Sequence, residues 1–325
     1  MPCRHGGSEH IPPFHSQNKS QVKSQIKPQV KSQSASQTLF LSLPTAIAGV
    51  LLCAVHAVGF ASESRSGSEN THALSFALAG QIQYFDFREF DNQGQELLQE
   101  SGYLPGLSTG LLYRAGRVKL TTRADILDGR VDYQGQTQIG NPLETRTEEY
   151  LLSLEQSFMY QDRTDVPGLA GTGVGVFVGH TAWQRDIQPT AITRGLSERY
   201  QWWRAGITLD CPLPLLQSSV SNSPVRLSVS AFRTFSADVA VDLTKLGYGK
   251  PDLALGAKNG VKVALAYTPD LSDKWPLRLE LDYQRWGFGR SDTKRLSNGA
   301  QTISILEPRS ETEAVSVRLE WLFED

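Results

Sequence analysis

The sequence predicts an all-β fold, a closed antiparallel up-and-down transmembrane β-barrel of about ten strands, within a range of roughly eight to twelve. Three observations predict it. Apolar residues recur at every second position in successive segments from Leu74 onward. An apolar run near the N-terminus indicates export. The connections between segments alternate in length, and the longer ones fall at one end of the predicted sheet.

The composition excludes several classes of protein. With 39% hydrophobic residues and a mean hydropathy of -0.31, the 325-residue chain is too polar for a bundle of membrane helices. A barrel stays compatible because only every second residue faces lipid. The net charge of -2 argues against a nucleic-acid partner. Cys3 and Cys53 precede the predicted barrel, so Cys211 is alone and no internal disulfide is expected.

The chain is predicted to have three parts. Residues 1–38 form a basic Gln/Ser/Lys-rich leader of low complexity, which is expected to be disordered. Residues 39–61 form the hydrophobic segment of a signal peptide, and the small residues Gly59 and Ala61 favour cleavage after Ala61. Residues 62–325 form the barrel. An uncleaved anchor is the alternative for the apolar run, and a start site assigned too far upstream would explain the long leader.

The barrel strands are indicated by alternation of apolar and polar residues. In the fifth segment, GVGVFVGHTAW, both faces are apolar, so its phase stays open. The segments lie near residues 74–84, 107–113, 118–126, 149–158, 173–183, 202–210, 225–231, 261–267, 277–284 and 315–323. An even number of strands places both chain ends on the periplasmic side.

Longer polar segments are predicted to be extracellular loops, and they cover residues 90–106, 136–146, 189–197, 245–260 and 291–310. Arg114–Arg117 and the stretch 267–276 are predicted to be turns at the other end, whereas the stretch 210–224 is long for such a turn. The loop side chains Phe90, Tyr103, Tyr248 and Ile305 are candidates for recognition of an unknown extracellular ligand.

The polar face of the strands carries charges of both signs, which are predicted to pair as a network in the lumen: Arg123, Asp125, Glu155, Arg204, Arg278, Glu280, Asp282, Arg318 and Glu320. A soluble sandwich or lipocalin-like barrel would instead turn its apolar face inward. Leu152, Val229, Leu281 and Leu319 separate the two interpretations, since a soluble fold would bring them together in a dry interior.

The last strand, AVSVRLEWLFED, resembles the C-terminal β-signal of bacterial outer-membrane barrels in its alternating residues Val317, Leu319, Trp321 and Phe323. Glu324 and Asp325 depart from the pattern, which usually ends on the aromatic residue. The resemblance implies a small barrel of the bacterial outer membrane, OmpA-like or omptin-like in size, without identifying a member. It also implies two partners, outer-membrane lipid and the barrel assembly machinery.

A structural or surface-binding role is the leading functional hypothesis, with a lumen plugged by ion pairs. A narrow porin-like channel is the first alternative. An omptin-like or lipid-modifying enzyme is the second, with His180 as a weak catalytic candidate and Asp186 as the acidic residue nearest to it along the same segment. The glycines of GTGVGVFVGH lack a following Lys-Ser/Thr, and no motif indicates a cofactor or a metal.

Overall fold

The computed structural model describes residues 72–137, 140–161, 171–213, 225–269 and 277–324. The predicted leader 1–38, the signal segment 39–61 and the cleavage point lie outside these residues. The strands are β1 (His72–Phe90), β2 (Glu96–Ala115), β3 (Val118–Gln136), β4 (Pro142–Gln161), β5 (Gly173–Ile187), β6 (Leu196–Leu213), β7 (Val225–Asp242), β8 (Asp252–Leu255), β9 (Asn259–Tyr267), β10 (Leu277–Phe288), β11 (Lys294–Ser297), β12 (Thr302–Ile305) and β13 (Arg309–Glu324). Thr244–Leu246 forms a single 3-10 turn. Within the described ranges, no helix is long and apolar enough to cross a membrane.

The sheet is closed, antiparallel and up-and-down. Each strand from β1 to β7 pairs with the next, and β13 pairs with both β10 and β1. β8 and β9 both pair with β7, so they share one position in the barrel, and β11 with β12 forms a separate hairpin. The barrel therefore has ten strand positions, which confirms the predicted fold class.

The apolar face of the sheet points outward. Val229, Leu281 and Leu319 are 43%, 46% and 36% exposed on the outside of the barrel, and Leu152 faces the same way. In the fifth segment the valines at 174, 176 and 178 are the exposed ones, which settles its phase. The interpretation of a soluble fold with these residues in a common interior is therefore wrong.

These outward residues form an apolar band with aromatic edges. On β1 the band ends at Tyr84, and the next outward residues are the ion pair Asp86–Arg88. Tyr84 packs against Tyr103 at this edge with ring centroids 5.4 Å apart. We take the band as the membrane-spanning part; it covers residues 74–84, 103–113, 118–126, 150–160, 174–182, 203–211, 225–235, 261–267, 277–283 and 315–323.

Most strands continue well past one edge of the band. We call the end of the barrel where β1 starts and β13 finishes the terminal end, and the opposite end the far end. Beyond the band at the far end, the outward residues are mainly charged or polar, as in the exposed pair Arg130–Glu148. The far half of the barrel thus projects from the membrane as a closed sheet.

This projection corrects two of the predicted loops. Residues 90–106 and 136–146 were expected to be loops, but only 91–95 and 137–141 connect strands. The outward side chains there face water and are polar, so apolar and polar residues no longer alternate clearly along the sequence. The inward side chains Leu104, Val131 and Leu143 are nevertheless buried, as in the rest of the sheet. The predicted difference between the two ends of the barrel is therefore due partly to strands that extend beyond the band at the far end.

The remaining far-end connections are residues 188–195, the segment with the 3-10 turn and β8, and the segment with the β11–β12 hairpin. Tyr103, expected in a loop, lies in β2 at the edge of the band. Tyr248 and Ile305 pack against the core, and Phe90 lies under the Arg309 guanidinium. Each of these four residues therefore packs against other side chains of the barrel.

The interior of the far half is filled by aromatic side chains. Trp183 contacts Phe87, with centroids 5.0 Å apart, and Tyr200, with centroids 4.7 Å apart. Trp202 packs edge-on to Phe288 at 5.1 Å. Phe85 and Leu104 are fully buried in the same cluster. This aromatic core is a packed layer inside the barrel, of the kind that narrow barrels accommodate.

Candidate functional site

The lumen holds two separate groups of charged residues, one within the membrane-spanning half and one within the far half. The residues predicted from sequence belong to the first group. All of them point inward, because they share the phase of buried positions on β3, β4, β6, β10 and β13. We call this first group the charge belt.

Six residues of the charge belt form one connected network across the lumen. Arg318 contacts Glu280 at 2.7 Å and Asp125 at 3.3 Å. Arg123 lies 3.5 Å from both Glu280 and Glu320, and Arg278 lies 2.8 Å from Glu280 and 3.6 Å from Glu320. Because β3 is separated from β13 by β2 and β1, these ion pairs span the interior and do not follow one strand pair.

The other three predicted residues form pairs elsewhere in the lumen. Arg204 of β6 contacts Glu155 of β4 at 2.8 Å. Asp282 lies 4.0 Å from Lys262 on the neighbouring strand β9. Arg318 also donates to the Gln81 side-chain oxygen, with its two nitrogens at 3.2 and 2.9 Å. The belt is therefore held by neutral partners as well as by ions.

The second group surrounds Arg185, which is buried in the far half among aromatic rings. Its guanidinium lies 3.0 Å from Glu100, 2.6 Å from Glu198 and 3.3 Å from Glu89. It also sits over the Phe87 ring, 4.5 Å from the centroid. One cation thus contacts carboxyls from three other strands in a site closed to solvent.

Two further buried glutamates complete this group. Glu149 lies against Glu100 and accepts a hydrogen bond from the Trp183 indole. Glu307, from the segment before β13, accepts a hydrogen bond from the Tyr200 hydroxyl. We call Glu89, Glu100, Glu149, Glu198 and Glu307, together with Arg185, the glutamate cluster. The cluster holds five carboxyls and one guanidinium, an excess of acidic groups that favours protonation of some of them.

Burial sets the protonation of this cluster, which lies outside the membrane-spanning segments. Loss of hydration raises the pKa of Glu89 to about 7, although Arg185 opposes the shift. Burial also raises the pKa of Glu198, and it raises the pKa values of Glu149 and Glu307 well above the usual range. The shared cause is desolvation, which disfavours the charged form of a carboxyl.

Sequence reasoning missed the glutamate cluster. Glu89, Glu100 and Glu149 lie in or beside stretches that were interpreted as loops or strand ends. The signal that could have found them is phase: Arg185 is two positions after Trp183 and four after Thr181, all on the inward face of β5. Its partners Glu100 and Glu89 are 85 and 96 positions away along the chain, so only the barrel register brings them to Arg185.

His180, the weak catalytic candidate, does not face the lumen. It is an outward residue of β5 within the apolar band, and its ring packs against Trp203 with centroids 4.8 Å apart. Asp186 shares the outward face and accepts a hydrogen bond from Gln184 at 2.7 Å. Asp186 therefore does not orient the His180 ring. Within the described ranges no group of three or more His, Cys, Asp or Glu residues is arranged to hold a metal ion.

The four residues that resemble a β-signal lie on the outer face of the closing strand. Val317, Leu319, Trp321 and Phe323 are all exposed there, and Phe323 packs against Phe76 of β1 with centroids 6.0 Å apart. β13 pairs with β1 along most of its length, so this strand closes the barrel. Closure leaves no free strand edge within the apolar band.

Among known proteins, this chain matches solved structures but no family model or curated sequence. The outer membrane protease OmpT from Escherichia coli matches with 10% identity and a TM-score of 0.48, covering 81% of this chain and 99% of that one. OprG from Pseudomonas aeruginosa matches with 8% identity and a TM-score of 0.35, covering 80% and 99%. The toluene transporter TodX from P. putida matches with 10% identity and a TM-score of 0.33, covering 80% and 91%.

The architecture of this chain rests on its own strand pairing. A closed sheet with an apolar outer face, aromatic edges and a charged interior is the construction of bacterial outer-membrane barrels. This chain has that construction, and from it we infer a location in the outer membrane.

Proposed function

We propose that this barrel is sealed and has a structural or surface-binding role, without a catalytic one. The aromatic core carries the proposal, because its packed rings occupy the interior of the far half. The glutamate cluster lies among these rings, and the charge belt crosses the lumen in the other half. A barrel of this size is near the limit at which side chains fill the interior.

We further propose that the far end is extracellular and presents the binding surface. The connection 188–195 touches the segment that follows β7, where Arg194 donates to the Lys245 carbonyl at 3.2 Å. Ile192 is 69% exposed at this tip, and Leu246 is 43% exposed. Loops held by a rigid sheet are suited to recognition. The β-signal residues of β13 would serve assembly at the opposite end.

A conductance measurement tests the seal. The full chain, reconstituted in planar bilayers, should show no discrete conductance steps. Trp202→Ala should admit a measurable ion leak, because removal of this buried indole leaves a cavity in the aromatic core. Discrete steps from the unaltered protein would overturn the sealed barrel in favour of the narrow channel.

Trp203→Ala is the matched control for that measurement. It removes the same side chain from the adjacent position of the same strand, but Trp203 faces outward and is 44% exposed. This variant should remain as silent as the unaltered protein. If both tryptophan variants leak equally, the leak reflects general loosening and the aromatic core is not the seal.

A labelling experiment tests the orientation. In a background where Cys3, Cys53 and Cys211 are serine, Ile192→Cys and Arg117→Cys place a single thiol at the far end and the terminal end. A membrane-impermeant maleimide should label Ile192→Cys on intact cells and Arg117→Cys only after lysis. The reverse pattern would place the far end in the periplasm and refute the proposed surface role.

A further inference from the structure

The membrane-spanning half contains a cavity of about 450 Å³, a volume within the range of small-molecule sites. It exists because one part of the wall carries small side chains, including Ala77, Gly110, Ala264 and Ala266. Its lining reaches Arg114 and Thr268 at the strand ends, so it belongs to the terminal end. We call it the vestibule. It lies on the other side of the charge belt from the aromatic core.

The charges of the vestibule are unbalanced. Its lining includes six basic residues, Arg114, Lys119, Arg123, Arg226, Lys262 and Arg278, and four acidic residues, Glu155, Asp210, Glu280 and Glu320. Each of the acidic residues already contacts an arginine: Asp210 pairs with Arg226, Glu155 with Arg204, and Glu280 and Glu320 with Arg123 and Arg278. The surplus in the described lining is therefore positive.

Lys119 shows this surplus most clearly. Its charged neighbours include Arg278, Arg114 and Arg123, and the acidic neighbour Asp210 is already paired with Arg226. No carboxylate of the described residues lies within salt-bridge distance of the Lys119 ammonium. A partly buried cation among other cations is unfavourable unless an anion compensates it. The geometry therefore leaves a place for an anion that the described side chains do not supply.

We propose that the vestibule binds a small phosphate-bearing anion through Lys119, Arg114 and Arg278. Guanidinium groups match phosphate oxygens with paired N–H donors, and the ammonium adds a mobile point charge. The hydroxyls of Thr121, Ser157, Thr208 and Ser228 line the same cavity and could donate neutral hydrogen bonds to the anion. The proposal rests on the vestibule alone, so it holds whether or not the far half is sealed.

Calorimetric titration of the full chain in neutral detergent with pyrophosphate tests the site. The unaltered protein should bind, Lys119→Met should bind roughly tenfold more weakly or worse, and Lys119→Arg should recover most of the affinity, as expected for a hydrogen bond to a charged group. Arg114→Gln gives a second variant, and heat-modifiable gel mobility shows that each variant is folded. Arg130→Gln, on the outer wall of the far half, is the matched control and should bind as the unaltered protein does.

A second arm distinguishes a soluble anion from a lipid headgroup. The same titration is done in nanodiscs of phosphatidylcholine with and without phosphatidylglycerol. Undiminished binding in both supports a soluble phosphate compound, whereas weakened binding with phosphatidylglycerol supports a headgroup as the occupant. No binding to the unaltered protein, or equal binding to Lys119→Met, overturns the proposal.

Discussion

Replacing Arg185 with methionine should lower the free energy of unfolding by about 3–5 kcal/mol, the cost of leaving buried charges without their partner. Arg185 is 1% exposed and contacts Glu89, Glu100 and Glu198, so its removal leaves a group of carboxyls with no cation. The contact with the Phe87 ring is lost at the same time. We expect no other single arginine in the described ranges to matter as much.

The measurement is denaturant unfolding of the full chain in detergent, followed by tryptophan fluorescence, to which Trp183 beside the glutamate cluster contributes. Arg185→Lys keeps the charge but loses the planar guanidinium, so its free energy of unfolding should lie between those of the unaltered protein and Arg185→Met. Arg130→Met removes an exposed arginine whose partner Glu148 is also exposed, and it should cost less than about 1 kcal/mol. An unfolding midpoint of Arg185→Met equal to that of Arg130→Met would contradict the predicted role.

The cost of losing Arg185 should also depend on pH. At low pH the surrounding carboxyls are protonated, so the missing cation leaves little uncompensated charge. As the pH rises, each carboxyl must either lose its proton without Arg185 or keep it at increasing cost. The difference between Arg185→Met and the unaltered protein should therefore grow with pH, whereas the difference for Arg130→Met should stay small.

The faces of the strands could be predicted from sequence, and the lengths of several could not. Where the outside meets lipid, apolar and polar residues alternate clearly, as at Leu279, Leu281 and their inward neighbours Glu280 and Asp282. Where the outside meets water, both faces carry polar residues, as at Glu100 with its outward neighbours Gln99 and Ser101. The rule used to find strands then fails, although the sheet continues.

The candidate sites divide in the same way. The charge belt lies in the region of clear alternation, so its residues were predictable as a set. Their partners were not, because Arg123 meets Glu320 across the lumen at a separation of 197 positions. The glutamate cluster depends on both a strand extension and a long-range register. Glu307 adds a contact from a connection between strands, which no periodicity marks.

Raising the pH from 5 to 9 should loosen the far half around Glu307. A carboxyl whose pKa is higher in the folded state than in the unfolded chain stabilises the fold at low pH, and this contribution is lost as the pH rises through its folded pKa. Glu89 has a pKa of about 7 against an ordinary value of 4.5, so its contribution fades over this interval. The raised pKa values of Glu149, Glu198 and Glu307 act in the same direction.

The groups that face this site come from every element around it: Glu89 of β1, Glu100 of β2, Tyr133 of β3, Glu149 of β4, Arg185 of β5, Glu198 and Tyr200 of β6, and Glu307 before β13. Arg185 is the one cation among them. Ionisation of the glutamates therefore adds negative charges that face each other. Glu307 lies in a connection between strands, so we expect its segment to open first. It is held there by the Tyr200 hydroxyl, which donates to its carboxyl, and by the Ser291 hydroxyl, which accepts from its backbone N–H at 2.8 Å.

Amide hydrogen exchange of the segment 289–308 measures this loosening, after correction for the intrinsic dependence of exchange on pH. Exchange should be faster at pH 9 than at pH 5 in the unaltered protein. Glu307→Gln should reduce the difference, because the amide keeps a hydrogen bond to Tyr200 without an ionisable proton. Glu311→Gln is the matched control, since Glu311 lies nearby but outside, paired with Arg285 at 2.6 Å, and it should leave the pH dependence unchanged. Equal corrected exchange at both pH values would show that the buried carboxyls keep their protons throughout, and the far half would then be closed independently of pH.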